Sequence, residues 1–284
     1  MAGAVMEKNK KLRVFAEEIR VETLKELAHL GFGHVGGSMS VVETLAVLYG
    51  EEMRIDPQNP EWEDRDKLVM SKGHAGPALY ATLALLGYFP LEELLTLNRG
   101  GTNLPSHCDR LKTVGVDMTT GSLGQGISLA CGLAIGNRMM GRDAYTYLVL
   151  GDGECNEGQV WEGAMFASQF KLDNLIAFVD LNKQQLDGKC DDVMHLGDMV
   201  DKFTAFGWNT LKVDGHDIDE VQAAVRAGKA THGKPTMIVL DTEKGRGCAL
   251  AEGKVPNHHI AFTAEEIAPS LVQAEAALEA ARKA

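Results

Sequence analysis

The sequence predicts an α/β fold: a parallel sheet with helices on both faces. Three observations carry this expectation. Residues 145–150 (YTYLVL) and 174–180 (NLIAFVD) are nearly continuous apolar, β-prone runs, the pattern of strands buried on both faces. Residues 157–170 between them read as a helix, so the three form one strand–helix–strand crossover. Two further strand candidates, 208–213 and 236–241, flank a helix predicted over 220–229.

The other elements follow in order. Leu12, Phe15, Ile19, Leu27 and Leu30 lie at helical spacing and predict an amphipathic helix over about 11–30. The glycine-rich stretch 31–37 (GFGHVGG) breaks it. Ser40 and Glu43 form a capping-box pattern ahead of a second helix through LAVLYGEEM. Residues 51–66 are polar, contain Pro57 and Pro60, and read as a loop. A short strand over 67–70 runs into SKGHAGP and an apolar helix to Leu86. Residues 98–121 are long, irregular and glycine-bearing, as functional loops tend to be. A second capping box, Thr263 to Glu266, opens a final Ala/Glu-rich helix. No repeat or low-complexity linker interrupts the chain, which reads as one domain over 1–284.

Charge narrows the function. With 28 basic and 40 acidic residues the net charge is −12, and no long basic run is present. Such a chain is a poor partner for nucleic acid or an anionic membrane. Any phosphate must be met locally, by a metal, backbone amides or histidine. The five cysteines, Cys108, Cys131, Cys155, Cys190 and Cys248, are odd in number and form no C-x-x-C pair. They read as free thiols in a reducing compartment. The start lacks a signal-peptide pattern, and no apolar stretch approaches the roughly 20 residues that span a bilayer. The expectation is a cytoplasmic protein.

In open parallel sheets, ligands bind beyond the carboxyl ends of the strands. Asp152 follows the first strand of the crossover unit and Asn182 follows the second. The crossover places them side by side at one edge. A carboxylate plus an amide oxygen suits Mg²⁺ or Ca²⁺, with phosphate oxygens and water completing the shell. Gly153 lets the backbone approach a phosphate, and the following helix offers its N-terminal amides. The same Gly-Asp-Gly can serve as an ordinary turn after a strand. No G-x-G-x-x-G follows the strand, which argues against a nicotinamide site.

At this point a family is legible. The stretch GDGECNEGQVWEGAMFASQFKLDNLIAFVDLNKQQLDG resembles the thiamine-diphosphate motif in its transketolase form. GHVGGSMSVVETLAVLY, LVMSKGHAGPALYATL, LPSHCDRLKTVGVDMTTGSLGQGISLACGLA and VDGHD match in the same order across nearly the whole chain. The resemblance implies the thiamine-diphosphate-binding fold of the diphosphate domain. It implies metal ligation by Asp152, Asn182 and the carbonyl of Gln184, and diphosphate contacts from His74 and Gly153. It places Gly121, Leu123 and Gly124 over the cofactor rings and matches Glu157 to an acid between subunits. It matches His34, His107 and His259 to active-site histidines. Cys108 and Val114 stand where the family usually has proline, and Asn257-His-His-Ile260 lacks the family's glycine, so His258 competes with His259. His216 reads as structural.

Only the first of three transketolase domains is matched. The pyrimidine-binding domain, which supplies the cofactor-activating glutamate, and the C-terminal domain have no counterpart. The chain reads either as a fragment or as the natural N-terminal subunit of a split transketolase; the expectation is the second, active in an α₂β₂ assembly with a C-terminal subunit. It would transfer a two-carbon ketol unit between sugar phosphates. The alternatives are the α subunit of a 2-oxo acid dehydrogenase and a transketolase subunit specialised for an unusual sugar.

Overall fold

The computed structural model describes residues 2–255 and 257–284, with residues 2–8 described by backbone alone. Five strands form the central sheet: β1 (Lys67–Met70), β2 (Thr146–Gly151), β3 (Leu175–Leu181), β4 (Asn209–Asp214) and β5 (Thr236–Asp241). Their order is β1-β2-β3-β5-β4, and every pairing is parallel. The predicted strands and the crossover helix, Gly158–Gln169, form as the sequence implies.

Alternation within the strands sorts the core into two layers, because successive side chains leave a strand on opposite faces. Tyr147, Val149, Ile176, Phe178, Ile238 and Leu240 pack towards the helices of residues 2–30, 76–85, 218–229 and 264–283. Leu148, Leu150, Ala177, Val179, Met237 and Val239 pack the other way, towards helices Gly126–Met139, Gly158–Gln169 and Met199–Ala205. Both faces are covered, which is why these strands read as near-continuous apolar runs. No helix among the described residues is long and apolar enough to cross a membrane. All five cysteines are buried and free.

Two local expectations change. The first helix spans Ala2–Leu30, starting upstream of Leu12, where its apolar periodicity begins. Ser40 and Glu43 do not form a capping box. The helix there is Val42–Val47, its N-cap is Val41, and no side chain caps it. The Ser40 hydroxyl instead donates to Asp180 at 2.6 Å, and Glu43 pairs with Arg20 and His216. Tertiary partners outcompete the local cap for both side chains. Thr263 and Glu266 do form theirs.

Glu26 is 1% exposed, and neither of its carboxylate oxygens has a hydrogen-bond partner among the described residues. Burial first, and then the Glu22 charge, holds its pKa well above the ordinary range. The folded chain thus keeps this proton at pH values where the unfolded chain has released it. Stability from this group is complete below the unfolded pKa of about 4.3. It declines as pH rises towards the folded pKa, by about 1.4 kcal/mol per pH unit. Glu26→Gln should flatten the fall in melting temperature measured as pH rises above about 5; an unchanged slope would assign that fall to other groups.

Candidate functional site

The site is built where β2 and β3 end. Gly151 pairs with Asp180 in register, so the turn after β2 and the segment after β3 emerge together. Asp152 is 1% exposed; its carboxylate accepts the Gly153 amide at 2.7 Å and the Lys183 amide from the β3 side. Asn182 donates its amide to Asp180 at 2.8 Å and accepts the Gln184 amide at 3.1 Å on Oδ1. Its carbonyl oxygen is thereby turned away from Asp180. A cavity of about 190 Å³ opens here, lined among others by Asp152, Gly153, Asn182, Gln184, His74 and Lys244.

Beneath it lies a polar hub. Asp180, fully buried, accepts hydrogen bonds from Lys72, Ser40, Asn182 and Thr242. Burial alone would raise its pKa; the Lys72 ammonium and these donors hold it below the usual range. Asp152 lacks such a cation at contact distance. Burial, and then the Asp180 charge, pushes its pKa up to about 6. Lys244, 2% exposed, is pushed down to about 8 by burial and then by the Lys72 charge.

Five imidazoles gather beside these charges. His34 has ring centroids at 5.6 Å from His74, 5.3 Å from His107, 5.3 Å from His258 and 4.8 Å from His259. His74 and His258 lie 4.6 Å apart. Burial, then the other rings and Lys244, lowers His34 to about 4; burial and then Lys244 lowers His258 to about 3. His74 and His107 are lowered too, with burial the main cause. These four rings are therefore neutral at physiological pH and offer hydrogen-bond donors and acceptors.

The loop of residues 121–124 roofs one side. Gly121 has φ +133°, and a Cβ there would meet the His107 ring at 2.9 Å, so only glycine lets the ring lie against this backbone. Gly121 and Leu123 line the cavity, while the Gly124 amide donates to Glu154 at 2.9 Å. Glu157 is exposed and packs its stem against Gly124, outside the cavity lining.

These residues fit a diphosphate held with a hard divalent cation. Asp152 and Asn182, both buried, line one cavity, and the Asp152 carboxylate, with no cation at contact distance, is what a metal ion would relieve. Among the described residues no three His, Cys, Asp or Glu side chains form a metal-binding group. A cation here would need diphosphate or water oxygens beside the pair. Gly153 lines the cavity, and a Cβ there would meet the Gln185 side chain at 2.7 Å, so glycine lets the two lie together.

A family model described as transketolase, thiamine diphosphate binding domain, matches residues 12–276. The chain belongs to the transketolase family. It is 55% identical, over 88% of its length and 91% of the relative's, to a 6-deoxy-6-sulfo-D-fructose transketolase subunit of Clostridium sp. strain MSTE9. It is 39% identical to an apulose-4-phosphate transketolase subunit of Phocaeicola vulgatus, covering 82% of this chain and 83% of that one. The transketolase of Leishmania mexicana superposes with a TM-score of 0.84 at 29% identity, covering 96% of this chain and 46% of that one. The chain thus spans less than half of that solved transketolase.

Within this transketolase domain the structure brings Asp152, Asn182, Gln184, His74, Gly153, Gly121, Leu123, His34, His107 and His259 into one neighbourhood, with Glu157 at its rim. His258 lines the cavity beside Lys244, whereas His259 is exposed, outside the lining, between His34 at 4.8 Å and Phe32 at 5.7 Å. Sequence reasoning missed Lys72, Asp180, Glu154 and Lys244. Asp180 carried a signal: a charged residue inside an apolar strand.

Proposed function

We propose that this chain binds thiamine diphosphate with Mg²⁺ and, with a partner chain, transfers a two-carbon ketol unit from a ketose to an aldose. One observation carries this reading: a neutral imidazole cluster abuts a buried Asp–Asn oxygen pair at the carboxyl edge of the sheet. Asp152, Asn182 and the Gln184 carbonyl would hold the metal, as Ca²⁺ could also be held. His74, Lys244 and the Gly153 backbone would lie against the diphosphate, and Gly121, Leu123 and Gly124 would flank the cofactor rings. Bound thiamine diphosphate supplies an electron sink for breaking the bond beside a ketose carbonyl. His34 and His107, uncharged, are suited to hydrogen-bond the hydroxyls of the sugar. With His259 or His258 they can take a hydroxyl proton and return it.

The naming of two relatives as subunits supports a partner that completes the site; the proposed assembly is α₂β₂. The purified chain alone should show no ketol transfer. Activity should appear when it is mixed with a chain carrying a pyrimidine-binding domain. Robust turnover without a partner would overturn this reading, and pyruvate decarboxylation without ketol transfer would favour the 2-oxo acid dehydrogenase type.

A second, finer reading concerns the sugar. The 55% identity to the sulfofructose enzyme's subunit supports 6-deoxy-6-sulfo-D-fructose as the donor. The reconstituted pair should then show higher kcat/KM on the sulfonated ketose than on fructose 6-phosphate; the reverse order would assign it to sugar phosphates.

A further inference from the structure

His216 lies in the turn after β4, in the motif VDGHD, away from the cavity lining. Both ring nitrogens are engaged. Nε2 accepts the Glu243 amide at 2.9 Å, which requires it to be unprotonated, so Nδ1 carries the hydrogen and donates to Glu43 at 3.1 Å. Glu43 is 6% exposed and also receives Arg20, whose guanidinium donates at 2.6 Å to the carbonyl of Arg246. Arg20, Glu43 and His216 thus grip the chain on both sides of Lys244, at Glu243 and at Arg246.

Lys244 is the residue between these anchors that faces the cavity. Its carbonyl accepts the Asn257 amide at 3.2 Å, and its ammonium lies 3.4 Å from Nδ1 of His258. Gly245 and Asn257 are each bonded through their backbones to Gly36, at 3.1 Å. A shift of the 243–246 segment would therefore move Lys244 and loosen the stretch that carries His258.

We propose that His216 is a positioning residue: by accepting the Glu243 amide and donating to Glu43, its ring holds Lys244 in the cavity. The cofactor arm of the test rests on thiamine diphosphate being the occupant; the backbone arm does not. Asn at 216 reaches only as far as Nδ1, so it keeps a donor for Glu43 and loses the acceptor for Glu243. Gln reaches the Nε2 position and can restore that acceptor.

The test compares wild type, His216→Asn and His216→Gln in the full chain. Hydrogen–deuterium exchange is followed over residues 243–247 without ligand, and Mg²⁺–thiamine diphosphate affinity is measured by calorimetry. Loss of one buried hydrogen bond is on the order of tenfold in an equilibrium constant. His216→Asn should speed exchange in that segment about tenfold and weaken the cofactor by a similar factor. His216→Gln should recover most of both. Unchanged exchange in His216→Asn, or equal losses in Asn and Gln, would overturn the proposal. If His216→Asn fails to fold, wild-type-like exchange in His216→Gln supports the anchor and fast exchange there refutes it. If the wild type binds no thiamine diphosphate even with the partner chain present, the proposed occupant falls while the exchange comparison still decides the role of His216.

Discussion

Asp152→Ala should abolish magnesium-dependent binding of thiamine diphosphate. The substitution removes the only carboxylate of the oxygen pair and leaves the Gly153 and Lys183 amides without their acceptor. Losing even an outer partner of a metal ligand costs about 10–100-fold in affinity. Losing the anionic ligand itself should cost about a hundredfold or more. Stability of the ligand-free chain should change far less, because the variant also removes a buried carboxylate that faces the Asp180 charge. Calorimetry with and without Mg²⁺ separates the two effects. Binding within threefold of wild type would refute the ligand assignment.

Lys72→Met should be the most destabilising single change at the site. It leaves Asp180 ionised or forces it to take up a proton, at a position with no exposed surface. Removing one partner of a buried pair costs about 3–5 kcal/mol. In a chain of this size that lowers the melting temperature by roughly 10 °C. The double variant Lys72→Met/Asp180→Asn removes the stranded charge and should recover most of the loss in chemical denaturation. It should not recover metal affinity in full, because Asn at 180 no longer presents a carboxylate to hold the Asn182 amide. A Lys72→Met variant that loses under about 1 kcal/mol would mean that solvent reaches the hub.

The reach of sequence reasoning follows from what is local. The Asp152–Asn182 pair was readable because both lie at strand ends of one crossover, and register then makes them neighbours. The histidines come from four separate segments, at 34, 74, 107 and 258–259, and no periodicity connects them. Only the resemblance did. Lys72 and Lys244 stayed hidden because lysine is seldom fully buried, and nothing in SKGHA or EKGRG reveals the carboxylates that tolerate it. Ser40 and Glu43 misled for the same reason in reverse. Their spacing satisfies a local rule, while Asp180, Arg20 and His216, far away in sequence, supply better partners.

The strand order has a consequence for synthesis. β5 is made after β4 yet lies between β3 and β4. A nascent chain that has emerged only through residue 230 can zip β1, β2 and β3 together, but β4 then has no neighbour. Thr242, which completes the ring of donors around Asp180, follows β5, and Lys244 comes two residues later. The floor of the site therefore closes only when one of the last strands slots into the middle of the sheet. Until then β3 and β4 present open edges, the kind of surface that invites mispairing and that chaperones shield during translation.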